Sequence, residues 1–354
     1  MKSRGWNRAP ALGLFFRVCS PCGCLNQDFV SMPLEPVIFV YSPFLLDPDL
    51  NDELRRRGKV YLLPELEGEA LGMALSESEI LVIPGGCHAT RELLDSMPKL
   101  KLITNFGVGY DGIDTPAALQ RGIVITHTPG AMDDDVADLT VALLLNCIRQ
   151  FIEAHKFVER GDWITRHGMQ LTPSLKGMKI GMAGIGRIGQ EIAARLLSFK
   201  TEIAYQARHH HPELPYTCMN SLEELASWCD ALILAMPGSP SNYHLVNAGI
   251  LKKLGPRGFL INIARGSIVD TQALITALDQ GWIAGAGLDV FEQEPEVPQA
   301  LMNRPNVVLT PHAGSNTYGT RHNMAVMVLN NLDAWLEGRP LPNLIPECRH
   351  NEPC

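Results

Sequence analysis

A glycine-rich turn between a short apolar segment and a helix-like segment is the feature that most constrains the fold. Lys179 to Ala183 reads as a buried strand, and Gly184, Gly186 and Gly189 follow with the spacing G-x-G-x-x-G. From Ile188 onward, apolar residues repeat every four positions, which is typical of a helix. A buried strand, a tight turn and a helix in this order predict a parallel sheet with crossover helices.

Each of the three glycines has a different predicted role. Gly184 allows the tight turn, Gly186 lets the backbone approach a pyrophosphate, and Gly189 lets helix and strand pack closely. The helix N-terminus offers free N–H groups and a partial positive charge to the phosphates. Glycines with this spacing also occur in plain loops, but the strand before them and the helix after them favour a dinucleotide site.

The residues after the next strand indicate which dinucleotide is bound. An NAD site usually has an acid there, which accepts hydrogen bonds from the adenosine ribose. Here the strand-like Glu202–Tyr205 runs into Gln206, Ala207 and Arg208, followed by His209–His211. A carboxylate would repel a 2′-phosphate, whereas Arg208 can pair with it, so the sequence predicts NADP, with NADPH preferred over NADH. The alternative is that Arg208 and the histidines form a solvated loop.

Further along the chain, polar side chains follow three apolar, strand-like segments. Arg265 follows Leu-Ile-Asn-Ile-Ala, Asp289 and Glu294 follow a segment that ends at Leu288, and His312 follows Val-Val-Leu-Thr-Pro. Because ligands bind at the carboxyl edge of open α/β sheets, we expect these side chains to share one site.

The residue types suit hydride transfer to a 2-oxo acid. Arg265 can fork onto the carboxylate or the ketone oxygen and polarise it, and His312 can donate a proton to the forming alkoxide. Glu294 can bond the other imidazole nitrogen, fix the tautomer and favour the protonated ring, and Asp289 is expected to contact the nicotinamide amide. Taken singly, Arg265 is equally typical of a surface ion pair, Glu294 of a loop start and His312 of a structural histidine; their joint order after a glycine turn favours catalysis.

Three motifs in the second half of the chain carry a resemblance to a known family. They are I-N-I-A-R-G-S-I-V-D, G-A-G-L-D-V-F-E-Q-E-P and N-V-V-L-T-P-H-A-G-S. The chain resembles the D-isomer-specific 2-hydroxyacid dehydrogenase family from about residue 36 to about residue 346. The segments N-F-G-V-G-Y-D-G-I-D, D-D-D-V-A-D-L and R-H-H-H indicate its NADPH-dependent glyoxylate, hydroxypyruvate and hydroxyphenylpyruvate reductases. The resemblance implies that Arg265, Glu294 and His312 are catalytic; Gln206 departs from NAD-using members, which carry Asp.

We expect an α/β fold with two doubly wound domains, a flavodoxin-like substrate domain and a Rossmann nucleotide-binding domain, since 354 residues suffice for two. The substrate domain is predicted to be discontinuous (33–132 and 316–354), the dinucleotide-binding domain to span 133–315, and 1–31 to be a disordered extension. The predicted strands of the first domain and the two long helices are Val37–Tyr41, Val60–Leu63, Ile80–Ile83, Leu102–Asn105, Ile123–Thr126, Asp133–Ile152 and Thr317–Trp335.

Further contacts are expected around the cleft between these domains. The glycine-rich strand ends Pro84–Cys87 and Phe106–Tyr110 expose N–H groups that can cradle a carboxylate, so Gly86, Val108 and Gly109 are candidate substrate contacts. The alternative for the first of these loops is a tight turn. Additional dinucleotide contacts are expected from Arg187, Ile188, Ala207, Met236, Pro237, Ile263, Ala264 and Gly314. Candidates for shaping the substrate pocket are Tyr110, Trp163, His167 and Met169.

Composition excludes several classes of function. A net charge of −8 does not favour binding to nucleic acid or to an anionic membrane, both of which are negatively charged. No apolar run reaches membrane-spanning length. Most of the nine cysteines are scattered, which suits reduced thiols in the cytoplasm. Cys19, Cys22 and Cys24 form C-x-x-C-x-C, but no second ligand pair follows, so no metal is expected.

The preferred interpretation is an NADPH-dependent reductase of small 2-oxo acids, such as glyoxylate or hydroxypyruvate, that yields D-2-hydroxy acids. The resemblance also implies a homodimer to which Asp133–Arg160 contributes. One alternative is a nucleotide-sensing binding protein similar to the C-terminal-binding-protein corepressors. Two others are a formate dehydrogenase-like enzyme, whose branch resembles the family with Gln at the Glu294 position, and a phosphoglycerate dehydrogenase, which favours NAD.

Overall fold

The computed structural model describes residues 35–166 and 168–351 of the chain. The predicted extension 1–31, the cysteine motif of Cys19, Cys22 and Cys24, and the pocket candidate His167 therefore lie outside the described residues. The chain from Glu35 onward contains two sheets in which every strand pair is parallel.

The first sheet has the strand order β2-β1-β3-β4-β5, which is that of flavodoxin-like folds. Alternate residues of its strands are buried in two different apolar clusters, one on each face, because helices cover both sides. Each strand lies within one residue of its predicted bounds. The strands are β1 (Val37–Val40), β2 (Lys59–Leu62), β3 (Ile80–Pro84), β4 (Leu102–Phe106) and β5 (Val124–Thr126).

The second sheet has the order β12-β11-β10-β9-β6-β7-β8, which is the Rossmann order with one added strand. The predicted fold class, α/β with two parallel sheets, is confirmed. The strands are β6 (Lys179–Ala183), β7 (Glu202–Gln206), β8 (Thr217–Cys218), β9 (Ala231–Leu234), β10 (Phe259–Asn262), β11 (Gly285–Leu288) and β12 (Val307–Leu309).

Strand β10 ends two residues earlier than predicted, because the side chain of Asn262 closes a turn. Its Oδ1 accepts the N–H of Ala264 at 3.1 Å and its Nδ2 donates to the carbonyl of Arg265 at 2.9 Å. These bonds replace those of the strand ladder. Ile263 and Ala264 therefore belong to the turn that leads to Arg265.

Helices form most of the connections between strands, as expected for parallel sheets. None of the described helices combines the length and the apolar character needed to cross a bilayer. The helices are α1 (Leu50–Arg55), α2 (Gly68–Glu77), α3 (Arg91–Asp95), α4 (Thr115–Gln120), α5 (Asp133–Arg149), α6 (Phe151–Glu159), α7 (Asp162–Arg166), α8 (Arg187–Leu197), α9 (Leu222–Trp228), α10 (Ala248–Leu254), α11 (Thr271–Asp279) and α12 (Tyr318–Leu336).

The long helix predicted over Asp133–Ile152 ends earlier, at Arg149. Gln150 adopts a φ of 50° in the left-handed region, and α6 begins at the next residue. A left-handed residue terminates a helix, but the residue found there is usually glycine or asparagine. The apolar periodicity continues across the break, so the sequence does not reveal it.

Helix α12 returns to the first sheet. Met324, Val328 and Leu332 are buried in the same apolar cluster as Ile38 and Val40 of β1. The chain therefore passes from the first sheet to the second before α5 and back again before α12. The predicted domain boundaries themselves stay a prediction, since the chain from Glu35 onward forms a single compact unit.

The two passages between the sheets are bonded to each other. Thr317, the N-cap of α12, and Thr320 in its first turn both donate their hydroxyl groups to Asp135 in the first turn of α5. The hydroxyl of Thr320 also donates to the carbonyl of Ala131 at 3.2 Å. The start of α5 and the start of α12 are thus held side by side.

The close packing of α8 on the end of β6 predicts a local effect on stability. A Cβ atom at Gly189 would lie 2.6 Å from the carbonyl oxygen of Gly184. We expect Gly189→Ala to lower the free energy of unfolding by about 1–3 kcal/mol, the usual cost of overpacking, in chemical denaturation. Gly186→Ser is the control, because nothing lies within 4 Å of a Cβ there. Equal losses in both variants would contradict the packing argument.

Candidate active site

The glycine turn connects the end of β6 to the start of α8. Gly184 has a φ of 96°, and a Cβ there would lie 2.7 Å from the carbonyl oxygen of Ala235, so only glycine fits without strain. Gly186 is the N-cap of α8 and no side chain caps the helix. A Cβ at Gly186 would meet nothing within 4 Å, so the space beside this N-cap is open, and the N-terminus of a helix suits an anionic pyrophosphate.

Two further residues of the turn, Arg187 and Ile188, have structural contacts. The Nε of Arg187 donates to Oδ2 of Asp133 at 2.9 Å, and Nη2 lies so close to Gly130 that a Cβ there would be 2.0 Å away. Ile188 packs against apolar clusters of both sheets. These residues join the glycine turn to the first turn of α5.

The end of β7 presents an unpaired arginine. Gln206 and Ala207 are half-buried, whereas Arg208 is exposed and forms no ion pair within residues 35–166 and 168–351. His211 is held locally, since its ring bonds Glu213 at 2.9 Å and its backbone N–H donates to a tyrosine hydroxyl. Arg208 is therefore available to a ligand, as are the exposed rings of His209 and His210 beside it.

Arg265 lies in the turn after β10 and is bound by Asp111 from the first sheet. Its Nε donates to both oxygens of Asp111, at 3.1 and 2.9 Å, and its Nη2 donates to Oδ1 at 2.8 Å. Its Nη1 donates to the carbonyl of Ala264 at 2.7 Å. Burial raises the pKa of Asp111, but the hydrogen bonds and charge of Arg265 outweigh burial, and the pKa lies below its usual value.

The loop after β9 packs against this ion pair. Met236 is partly buried against the core, and the carbonyl of Pro237 accepts a bond from Asn242 at 2.9 Å. A Cβ at the next residue, Gly238, would lie 2.6 Å from Oδ2 of Asp111. Neither Gly238 nor Asp111 was among the site residues predicted from the sequence, although Gly238 closely follows the carboxyl end of a buried strand, which is a signal for a site residue.

Glu294 and His312 form the predicted pair. The Nδ1 of His312 lies 2.7 Å from Oε2 of Glu294, and Oε1 accepts the backbone N–H of Phe291 at 3.0 Å. Burial raises the pKa of Glu294, but the hydrogen bond and charge of His312 outweigh burial, so the net pKa is lowered and the carboxylate stays ionised. The His312 side chain is 40% exposed, which leaves its Nε2 accessible to a substrate.

Asp289 holds the loop that carries His312. Its carboxylate is 2% exposed and accepts the hydroxyl of Thr310 at 2.6 Å and the N–H groups of Ala313 and Gly314 at 2.7 and 3.0 Å. Its backbone carbonyl accepts the N–H of His312 at 2.8 Å. These bonds give Asp289 a positioning role that the sequence did not indicate, and the nicotinamide contact stays a prediction.

The second glycine loop of the first sheet is held in place by a buried asparagine. Nδ2 of Asn105 donates to the carbonyls of Gly107 and Gly109, both at 2.9 Å, and the carbonyl of Val108 contacts the ring of His127 at 3.1 Å. These bonds hold the carbonyl groups of the loop in place. A Cβ at Gly109 would lie 1.8 Å from Nη2 of Arg265, so the predicted substrate loop touches the predicted catalytic arginine.

The first glycine loop has the geometry of a tight turn. The N–H of Cys87 donates to the carbonyl of Pro84 at 2.9 Å, and Gly86 at the tip is exposed. A Cβ at Gly85 would lie 3.1 Å from the carbonyl of Gly109, so the two loops abut. A turn does not prevent the N–H of Gly86 from binding substrate, and that contact stays a prediction.

Tyr110, Trp163 and Met169 are the described candidates for the substrate pocket. Among the described residues, no hydrogen bond links them to Arg265 or His312. The hydroxyl of Tyr110 donates to Glu347 at 3.1 Å, and burial together with Glu347 raises the pKa of Tyr110 to about 12. Trp163 and Met169 are exposed. Their part in the substrate pocket stays a prediction.

Comparison with known proteins agrees with this geometry. Residues 141–314 match the family described as D-isomer specific 2-hydroxyacid dehydrogenase, NAD binding domain. A hydroxyphenylpyruvate reductase from Plectranthus scutellarioides is 41% identical over 82% of this chain and 94% of its own length. A glyoxylate reductase from Thermococcus onnurineus is 41% identical over 79% of this chain and 86% of its own length.

A solved structure is similar over most of the chain. It is an NADPH-dependent glyoxylate/hydroxypyruvate reductase from Sinorhizobium meliloti in complex with NADP and malonate, with a TM-score of 0.81 and 38% identity, covering 88% of this chain and 97% of that one. The sequence relatives and this structure match most of the chain, not one motif. The chain therefore belongs to the D-isomer specific 2-hydroxyacid dehydrogenase family and is an oxidoreductase.

Proposed function

We propose that this enzyme uses NADPH to reduce small 2-oxo acids, such as glyoxylate or hydroxypyruvate, to 2-hydroxy acids, which are D-2-hydroxy acids where the product is chiral. The observation that carries the proposal is the Glu294–His312 pair, which is half-exposed at the carboxyl edge of the second sheet. The charge of Arg265 also acts on the carboxyl of Glu294, whose pKa it lowers. An acid–base pair and a guanidinium in one site suit a substrate with a carboxylate and a carbonyl group. The similarity to glyoxylate and hydroxyphenylpyruvate reductases supports the same substrate class.

The direct test is the rate of NADPH oxidation with a panel of 2-oxo acids. We expect turnover with glyoxylate and hydroxypyruvate. NADPH binding without turnover on any member of the panel would contradict the proposal and favour the nucleotide-sensing alternative.

In the proposed reaction, Arg265 and His312 act on the same ketone oxygen. The reduced nicotinamide, when bound, supplies the hydride that adds to the ketone carbon. Arg265 orients the carboxylate and stabilises the negative charge that develops on the oxygen. Nε2 of His312 then gives its proton to that oxygen, and Glu294 at Nδ1 stabilises the protonated ring before the transfer.

The proton donor predicts a pH dependence. Reduction needs protonated His312 and so falls as pH rises, whereas oxidation of the alcohol needs the neutral ring and rises over the same range. Glu294→Gln removes the charge that Nδ1 of His312 faces, so we expect the reduction limb to move to lower pH. The measurement is kcat/KM for glyoxylate against pH.

The controls for this prediction separate chemistry from folding. NADPH affinity should stay nearly unchanged in Glu294→Gln, and His312→Ala should lose most turnover while keeping the circular dichroism spectrum of the folded protein. An unshifted pH limb in Glu294→Gln would mean that Glu294 does not act on His312.

The dinucleotide is proposed to lie on the glycine turn, with its 2′-phosphate on Arg208. The open space before Gly186 and the uncapped start of α8 fit the pyrophosphate. The support for NADPH is that Gln206 carries no charge to repel the 2′-phosphate and that Arg208 is exposed and unpaired in the described part of the chain.

We expect Arg208→Ala to weaken NADPH binding about ten- to a hundred-fold and to leave NADH binding nearly unchanged, because only NADPH has the 2′-phosphate. Fluorescence titration with each dinucleotide measures the two affinities. His210→Ala, an exposed neighbour on the same loop, is the control. Equal loss of NADPH and NADH affinity in Arg208→Ala would rule out the phosphate contact.

The protein is further proposed to be a homodimer formed by the segment Asp133–Arg160 and the helix after it. Exposed apolar side chains lie on α6 and α7, and a contiguous set of this kind is typical of an interface. These side chains are Phe151, Ile152, Val158, Trp163 and Ile164.

A substitution on α7 tests the proposed interface. Ile164 is 81% exposed, so Ile164→Glu should convert the dimer to monomer in light scattering without lowering the thermal stability of the subunit fold. Met73→Glu, on the exposed side of α2, is the control and should leave the dimer intact. A wild-type protein that is monomeric and fully active would refute the dimer.

A further inference from the structure

One carboxylate in the site has no part in the proposed chemistry. Asp111 follows β4 of the first sheet, and Arg265 follows β10 of the second, so their ion pair connects the two sheets at the site. The side chain of Arg265 is 25% exposed and that of Asp111 is 33% exposed. The pair is bidentate, the geometry in which an ion pair can add to stability, and it also fixes the plane and direction of the guanidinium.

The hydrogen bonds of Arg265 show which of its donors remain for a ligand. A guanidinium carries five N–H groups. Asp111 takes the one on Nε and one on Nη2, and the carbonyl of Ala264 takes one on Nη1. One N–H on each terminal nitrogen is therefore left. Because Asp111 approaches from the Nε side, the free N–H of Nη2 points to the end of the guanidinium, where it can form an end-on fork with an N–H of Nη1.

Two glycines fix the position of this ion pair. A Cβ at Gly109 would lie 1.8 Å from Nη2 of Arg265, and a Cβ at Gly238 would lie 2.6 Å from Oδ2 of Asp111 and 2.9 Å from Cγ of Arg265. The guanidinium and the carboxylate are thus enclosed between the backbones of two loops. The free fork lies beside the predicted substrate loop, Val108–Gly109.

We propose that Asp111 is a positioning residue: it occupies the Nε side of Arg265 and thereby aims the end-on fork at the carboxylate and ketone oxygen of the substrate. The inference rests on the proposed function, in which Arg265 binds those groups. Asp111 also leaves the ion pair with no net charge, so the substrate is held by two directed N–H groups and not by a bare cation. Orientation matters most when negative charge develops on the ketone oxygen, so loss of Asp111 should affect kcat more than KM.

The test is the steady-state kinetics of Asp111→Ala and Asp111→Asn with glyoxylate and NADPH. In Asp111→Ala we expect kcat to fall about ten- to a hundred-fold and the KM for glyoxylate to change less than about threefold, because the lost orientation and the removed repulsion oppose each other. Asp111→Asn should lie between Asp111→Ala and the wild type, since its amide oxygen can still accept one N–H of Arg265. The KM for NADPH should not change.

Two further variants make the outcomes distinguishable. Asp279→Ala breaks another Asp–Arg pair, with Arg304 at 2.7 Å, and controls for the loss of such a pair in general. Arg265→Ala tests the catalytic arginine itself. Turnover kept in Arg265→Ala contradicts the proposed function, whereas turnover lost there but kept in Asp111→Ala overturns the positioning role alone.

A purely structural bridge gives a different pattern. If Asp111 only joined the sheets, both variants would raise the KM for glyoxylate and for NADPH together while keeping kcat, and that result overturns the inference. If Asp111→Ala fails to fold, the near-isosteric Asp111→Asn still provides the comparison of kcat with KM.

Discussion

The carboxylate of Asp289 is the group on which the catalytic edge of the second sheet depends. It lies at the end of β11, is almost completely buried, and accepts three hydrogen bonds from the loop after β12. These bonds compensate for a strained backbone, since His312 has a φ of 50°, which costs a residue with a side chain about 1 kcal/mol or more. The same loop places the imidazole of His312 2.7 Å from Glu294. Replacement of the Asp289 side chain would thus act on His312 through the loop, without removing an atom that His312 contacts directly.

Much of the fold could be predicted from the sequence because parallel sheets have simple patterns. Strands buried on both faces are continuous apolar runs, and glycines interrupt them where the chain turns. The bounds of β6 were therefore predicted to the residue, and those of the first sheet nearly so. Of the two errors, one arises from the hydrogen bonds of a side chain and the other from an unusual backbone conformation. Asn262 ends β10 by binding its own turn, and Gln150 ends α5 in a conformation that its sequence does not indicate.

The sequence was enough to predict which polar residues form the candidate site. It was not enough to predict the contacts that hold those residues in position. Arg265, Glu294 and His312 stand at strand ends, and the pair of Glu294 and His312 forms as expected. Asp111 and Arg265 are separated by 154 positions in the chain, so no spacing rule links them. Asn105 likewise looks like an ordinary strand residue until its side chain is seen to hold the carbonyls of Gly107 and Gly109. Contacts made only by the folded chain carry no signal in a single sequence.

The hydrogen bonds from Thr317 and Thr320 to Asp135 tie together the two chain segments that pass between the sheets. If the two sheets move relative to each other, two segments bonded side by side act as a single hinge. His312 lies on one of these segments, only a few residues before α12, whereas Arg265 and Asp111 meet on separate loops of the two sheets. Rotation about the hinge would separate Arg265 from Asp111 and leave His312 bonded to Glu294. The contact between the sheets and the contact within the second sheet would thus respond differently to the same motion.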